Sequence, residues 1–326
     1  MGQSIAPHDT AIYTNSGIQY MARPLFNNVR RVACVGSGTI GAAWAACFLS
    51  RGIEVFATDP NPAAEAHLEK AIDAAWPKLV AIGLPSDADR SQLHFTNDMT
   101  EAVSGADFIQ ESAPDDEDLK IELIGQISES CPIDSVIASS SSTFLPSRLA
   151  SRCRNPERVI VGHPFVPVYL IPLVEVVGGA QTSLDVLDWA VGLYDRLGKA
   201  PLRLKTEIEG YIANRLQRVV FEEALALVAN GICDYDDIDK AVTLGPGLRW
   251  AIQGPILHRH LGGGKGGVRH MIDHFGWDGE PGGENQFIEA INDRWGHTTI
   301  DELEDWRDDN LVTMLKHLRS APAAKD

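Results

Sequence analysis

RRVACVGSGTIGAAWAACFLS, residues 30–50, is the stretch that decides the fold. It reads as a short strand of small and β-branched apolar residues, a turn holding Gly36-Ser37-Gly38-Thr39-Ile40-Gly41, and an alanine-rich helix to about Ser50. G-x-G-x-x-G is a weak signal alone; between a strand and a helix it acquires a mechanism. Gly36 permits the tight turn, Gly38 lets the backbone approach a pyrophosphate, and Gly41 lets the helix pack closely on the strand. The helix start then turns free N–H groups and a positive dipole end towards phosphate. A second strand, EVFATD, ends at Asp59, 18 residues after Gly41. A carboxylate there accepts from a ribose 2′-OH and repels a 2′-phosphate, so the expected cofactor is NAD rather than NADP. FAD proteins use a similar loop, and that choice needs residues further along the chain.

Outward from this unit the chain alternates strands and helices. Helical text runs from Ala63 to about Ile82 and over Asp118–Glu129. Strand candidates are Leu93–Thr96, Asp107–Glu111, Ser135–Ser139, Val159–His163 and Leu173–Val177. Such alternation predicts an α/β fold, a mostly parallel sheet with helices on both faces. After about Thr206 the character changes. Glu209 to Asn230 reads as one long amphipathic helix, followed by short helices, a glycine cluster over Gly262–Gly267 that reads as a flexible loop, and a final acidic helix from about Ile300 to Arg319. The layout expected is an N-terminal extension over 1–28, a Rossmann-type NAD-binding domain over 29–205, and an all-α substrate and dimerisation domain over 206–326.

Composition narrows the function classes. Of 326 residues, 44% are apolar, and the formal net charge is −17. A surface that acidic repels phosphate backbones and anionic lipid, which speaks against nucleic-acid and membrane partners. No apolar run approaches the ~20 residues that span a bilayer. The first residues have neither a basic start nor an apolar core, so they do not read as a secretory signal, and Ala6 breaks the myristoylation pattern begun by Gly2. Five scattered cysteines without a CxxC pair suggest reduced thiols and a cytoplasmic location.

Three features carry chemistry. Ser139 to Thr143 follows a strand, at the carboxyl edge of the sheet where ligands bind. His163 ends VIVGH. Glu175 sits among Leu173, Val174, Val176 and Val177, where a carboxylate is costly unless paired. Two adjacent strands would bring it against His163, and a carboxylate on one ring nitrogen orients an imidazole and leaves the other nitrogen to take a proton.

The order Gly36–Gly41, Asp59, the serine run, HPFVPVYLIPLVEVV and EGYIANR resembles the 3-hydroxyacyl-CoA dehydrogenase superfamily over about residues 29–275. The resemblance implies oxidation of a 3-hydroxy acid with NAD. It makes His163 the general base, Glu175 its orienting partner, Ser142 the contact to the substrate hydroxyl and Asn214 the residue near the reacting carbon. It places Asp115 and Lys120 at the cofactor's ribose or nicotinamide side, and implies a homodimer. One departure stands out: Val166 occupies a position where many relatives carry Asn, which puts one nicotinamide-side hydrogen bond in doubt.

Between Pro60 and Pro85 the chain offers only Lys70 and Lys78, a poor surface for CoA phosphates, so a free small acid is expected. GPGLRWAIQGP, HLGGGKGGVRHMIDHFG and AWPKLVAIGL resemble the branch of this superfamily that acts on L-carnitine. A quaternary ammonium donates no hydrogen bond and wants aromatic faces or a carboxylate; Phe144, Trp250 and Tyr211 are candidates, each also readable as ordinary core. Arg249 and Arg269 are candidates for the substrate carboxylate. L-gulonate and short-chain 3-hydroxyacyl-CoA remain alternative substrates, and a non-catalytic crystallin-like protein is the alternative of another class. His258, His260, His270 and His274 lack the glutamate of H-E-x-x-H, and no metal is expected.

Overall fold

The structure, a computed structural model, describes residues 23–277 and 279–320. Most of the extension expected over 1–28, with Gly2, lies outside them. Two compact units divide after Arg218. In the first, β1 (Arg31–Val35), β2 (Glu54–Thr58), β3 (Leu93–Thr96), β4 (Phe108–Glu111), β5 (Val136–Ser139), β6 (Val159–Pro164), β7 (Leu173–Gly178) and β8 (Ala200–Arg203) form one sheet in the order β3-β2-β1-β4-β5-β6-β7-β8. β1 to β6 run parallel; β7 turns back antiparallel to β6, and β8 follows β7 in parallel.

Helices α1 (Thr39–Leu49), α2 (Ala64–Ile82), α3 (Met99–Val103), α4 (Glu117–Ser130), α5 (Pro146–Leu149) and α6 (Leu184–Arg196) connect the strands. Alternation along each strand feeds two cores, one on each face of the sheet. Val32, Cys34 and Val55 join Trp44, Phe48, Leu68 and Tyr194 on one face; Ala33, Val35, Ile109 and Ile137 join Ile124 and Leu149 on the other. Residues 23–28 dock on α6, where the Trp189 indole donates to the Pro24 carbonyl and the Arg196 guanidinium to those of Phe26 and Val29.

The chain order reverses between β1 and β4, and the connections leaving their carboxyl ends open a crevice there. The glycine turn sits in it. Gly36 has φ +92°, a left-handed conformation that side chains resist, and a Cβ on Gly41 would lie 1.8 Å from the Gly36 carbonyl oxygen.

A long helix, α7 (Ala213–Ala229), begins four residues later than the amphipathic pattern suggests. Gly210 (φ +71°) and Tyr211 (φ +49°) are left-handed, which ends any earlier helical run. The second unit continues with α8 (Tyr235–Leu244), α9 (Pro246–Trp250), α10 (Pro255–Gly262), α11 (Gly267–Phe275), α12 (Glu284–Trp295) and α13 (Ile300–Ser320). Its core holds Leu257, Leu261 and Leu303 in one cluster and Val268, Ile288 and Ile291 in another.

The glycine cluster is a close helical corner, not a flexible loop. A Cβ on Gly263 would lie 1.8 Å from the Gly267 carbonyl oxygen, so only glycine lets α10 and α11 meet there. The Val268 amide donates to His260 Nδ1, and His270 Nδ1 lies 2.8 Å from the Gly263 carbonyl oxygen. Burial holds the His260 imidazole below its ordinary pKa, which suits a neutral acceptor. All five cysteines are unpaired, and no helix among the described residues is long and apolar enough to cross a membrane.

Candidate active site

The antiparallel register of β6 and β7 sets His163 directly opposite Glu175. His163 Nδ1 lies 2.9 Å from Glu175 Oε2, and Glu175 is wholly buried. Its other oxygen accepts from the backbone amides of Ile212 (2.9 Å) and Ala213 (3.0 Å) at the start of α7. Helix starts leave such N–H groups without intrahelical partners and carry partial positive charge. Burial works against the Glu175 charge, yet the His163 hydrogen bond, the two amides and the nearby imidazole outweigh it and hold the carboxyl below its ordinary pKa. An ionised carboxylate only accepts, so Nδ1 carries the proton and Nε2 is left as an acceptor.

His163 lines a cleft of about 540 Å³ together with Gly36, Gly38, Thr39, Ile40, Asp59, Asp115, Lys120, Ser142 and Val166. The structure thus brings together most of the residues read from the sequence. Val166 is exposed there, an apolar side chain with no hydrogen bond to offer. Ser142 Oγ donates to Asp115 Oδ2 (3.1 Å), and Ser141 Oγ to Asp115 Oδ1 (3.4 Å). Asn214 Nδ2 donates to the Ser142 carbonyl (3.1 Å), tying α7 to the serine loop. At the far end Asp59 accepts from the amides of Ser37 (2.9 Å) and Asn61 (3.0 Å), so it also holds the glycine turn. A neighbouring hollow of about 370 Å³, lined by Val35, Pro60, Met99 and Leu119, shares Gly36 and Asp59 with the cleft.

This end of the cleft fits NAD. A Cβ at Gly38 would meet nothing within 4 Å, the open approach that a pyrophosphate needs, and the buried Ser37 hydroxyl in the same turn has no hydrogen-bond partner among the described residues.

Two aromatic expectations do not fit. Tyr211 is fully buried, its hydroxyl donating to the Phe144 carbonyl (2.6 Å) and its ring tilted against His163, so it offers no face to a ligand. Burial pushes its phenol well up, which keeps it a neutral donor. Phe144 packs against the core beneath the sheet instead of lining the cleft. Trp250 and Arg249 on α9, and the exposed Arg269 on α11, belong to the second unit.

Sequence reasoning missed Glu111. It is wholly buried at the end of β4, where Oε1 accepts from the Lys120 ammonium (2.8 Å) and the Ala113 amide (2.7 Å), and Oε2 from the Ser139 hydroxyl (2.5 Å). Lys120 also donates to the Ala113 carbonyl (2.9 Å). This one carboxylate therefore clamps both loops at the cleft floor. The signal was present, an acid closing the strand FIQE, but without the flanking valines that exposed Glu175.

A parallel sheet with a glycine turn at its switch point, and a His–Glu pair at the same edge, define a dinucleotide-dependent dehydrogenase. Residues 31–207 match the 3-hydroxyacyl-CoA dehydrogenase NAD binding domain and residues 210–293 the 3-hydroxyacyl-CoA dehydrogenase C-terminal domain. The chain belongs to the 3-hydroxyacyl-CoA dehydrogenase family and is an NAD-dependent dehydrogenase acting on a CH–OH group. An L-carnitine dehydrogenase of Streptomyces coelicolor is 49% identical over 249 residues, 76% of this chain and 78% of that protein. One from a Pseudomonas species is 40% identical over 312 residues, 92% of this chain and 97% of that protein. Among solved structures, 5-formyl-3-hydroxy-2-methylpyridine 4-carboxylic acid 5-dehydrogenase, an NAD⁺-dependent dismutase, superposes with a TM-score of 0.71 at 26% identity, covering 90% of this chain and all of that one. A 3-hydroxyacyl-CoA dehydrogenase of Archaeoglobus fulgidus, 20% identical with a TM-score of 0.69 over 90% of this chain and 100% of its own, shares the fold.

Proposed function

We propose that this dehydrogenase oxidises L-carnitine to 3-dehydrocarnitine, with His163 as general base. The observation that carries the mechanism is the buried His163–Glu175 pair at the wall of a cleft that begins at the glycine turn. The L-carnitine dehydrogenases at 40–49% identity support the choice of substrate. NAD supplies the hydride acceptor when bound. Gly36 to Gly41, with Ser37, Thr39 and Ile40, would hold its pyrophosphate, and Asp59 would hold its adenosine ribose. Lys120 has used two of its three N–H groups on Glu111 and Ala113, which leaves one for the nicotinamide side, where Asp115 also lies.

His163 takes the C3 hydroxyl proton on Nε2, the nitrogen that Glu175 leaves free. Glu175 stabilises the resulting imidazolium, and the α7 amides keep the carboxylate charged. Ser142 holds the substrate oxygen, and Asn214 holds the serine loop and the space beside the reacting carbon. Arg249 and Arg269 remain the candidate partners of the substrate carboxylate, and Trp250 a candidate aromatic face. The reading includes a homodimer, supported by Leu216, Val219 and Phe221, which stand exposed along α7. It includes a cytoplasmic location, supported by the unpaired cysteines.

The test offers L-carnitine, L-gulonate and 3-hydroxybutyryl-CoA with NAD and follows NADH absorbance. We expect L-carnitine to lead in kcat/KM by at least about tenfold; a preference for either other compound overturns the assignment. Sedimentation as a monomer at working concentration overturns the dimer.

A further inference from the structure

The structure accounts for the base and the cofactor, but recognition of a cationic substrate in this unit loses Tyr211 and Phe144. The carboxylates around the cleft supply the alternative. Glu175 is bound to His163 and two amides, Glu111 is bound to Lys120, and Asp59 holds the glycine turn at the adenosine end. Asp115 differs from all three. It lines the cleft, it is exposed, and its hydrogen-bond partners are the hydroxyls of Ser141 and Ser142. Among the described residues no cation lies within ion-pair distance of it. Both of its oxygens are nevertheless fixed, one by each serine.

We infer that Asp115 is the counter-ion that selects 3-hydroxy acids bearing a fixed positive charge on C4. This inference rests on the proposed function. In such a substrate the C3 oxygen and the C4 nitrogen are separated by two carbons, roughly 3–4 Å at ordinary bond lengths. Asp115 and His163 line the same cleft, so the cation is brought into the field of this carboxylate when the hydroxyl reaches His163. A trimethylammonium group makes no hydrogen bond, and attraction of this kind is what a carboxylate gives it. A hydroxyl at C4, as in a sugar acid, gains nothing comparable, and an anionic substituent is repelled. Asp115 thus sorts substrates by charge at the atom next to the reaction.

The experiment compares L-carnitine with its carbon isostere, 3-hydroxy-5,5-dimethylhexanoate, in the wild type, in Asp115→Asn and in Asp115→Glu. Any effect on NAD affinity moves both substrates alike and cancels in the ratio of their kcat/KM values. Asp115→Asn should lower the carnitine-to-isostere ratio about 10- to 100-fold, the scale of a unit-charge interaction across a partly solvated cleft. Asp115→Glu keeps the charge and should keep most of the discrimination. A ratio unchanged in Asp115→Asn, with both substrates falling together, overturns the inference and leaves the proposed function standing. Wild-type protein that does not oxidise L-carnitine overturns both.

Discussion

Exchange of Glu175 for glutamine replaces one carboxylate oxygen by an NH2 group, and the surrounding bonds decide which. Oε1 accepts from the amides of Ile212 and Ala213, at 2.9 and 3.0 Å. An NH2 placed there would set a donor against two donors. The amide oxygen must keep that position, and the NH2 turns to His163 Nδ1, 2.9 Å from the native carboxylate oxygen. Nδ1 must then accept, the ring proton moves to Nε2, and the nitrogen facing the cleft can no longer take a proton. On the proposed mechanism, Glu175→Gln therefore removes the base without removing the histidine. A positioned general base contributes about 10²–10⁴-fold, or about 3–5 kcal/mol of barrier. We expect kcat with L-carnitine and NAD to fall on that scale, while NADH titrated by fluorescence binds as in the wild type. The fold should persist, with a melting temperature a few degrees lower, because the oxygen between Ile212 and Ala213 survives. A kcat within about threefold of wild type, in a variant that melts cooperatively, would refute the tautomer argument.

Three further outcomes are expected. Lys120→Ala leaves Glu111 charged and buried without its cation, so it should destabilise by about 3–5 kcal/mol in denaturant unfolding, and adding Glu111→Leu should recover part of the loss; a cost below about 1 kcal/mol contradicts the buried-pair account. Asp59→Asn keeps an acceptor for the Ser37 amide but drops the charge, so the ratio of NAD to NADP efficiency should fall towards unity; an unchanged ratio removes Asp59 from cofactor choice. The folded pKa of Glu175 lies below its ordinary value of 4.5, so its ionisation stabilises the protein above that value and the contribution disappears as pH falls through the depressed one. The melting deficit of Glu175→Gln at pH 7 should therefore shrink below about pH 4, and thermal melts showing it widen would reverse the sign.

Features legible in the sequence were those where a residue conflicts with its surroundings. Three glycines between a strand and a helix have few uses, and the structure gives each its reason: left-handed φ at Gly36, open approach at Gly38, a 1.8 Å collision avoided at Gly41. Glu175 stood out because valines flank it. Where a residue agrees with its surroundings, the sequence is silent on direction. Phe144 and Tyr211 are aromatic whether they face a ligand or a core, and only the tertiary fold turns both inward. The glycines of Gly262–Gly267 have the composition of a loop, yet they allow a helical corner by the absence of Cβ atoms. The start of α7 joins both cases. Amphipathic periodicity carries the pattern back to Glu209, but the left-handed pair Gly210 and Tyr211 delays the helix to Ala213. Were the helix to begin at Glu209, the amides of Ile212 and Ala213 would lie nearer its interior and bond within it. Glu175 would then be buried with His163 alone, and burial would favour its neutral form. The four-residue delay is thus what lets a buried glutamate stay charged beside His163.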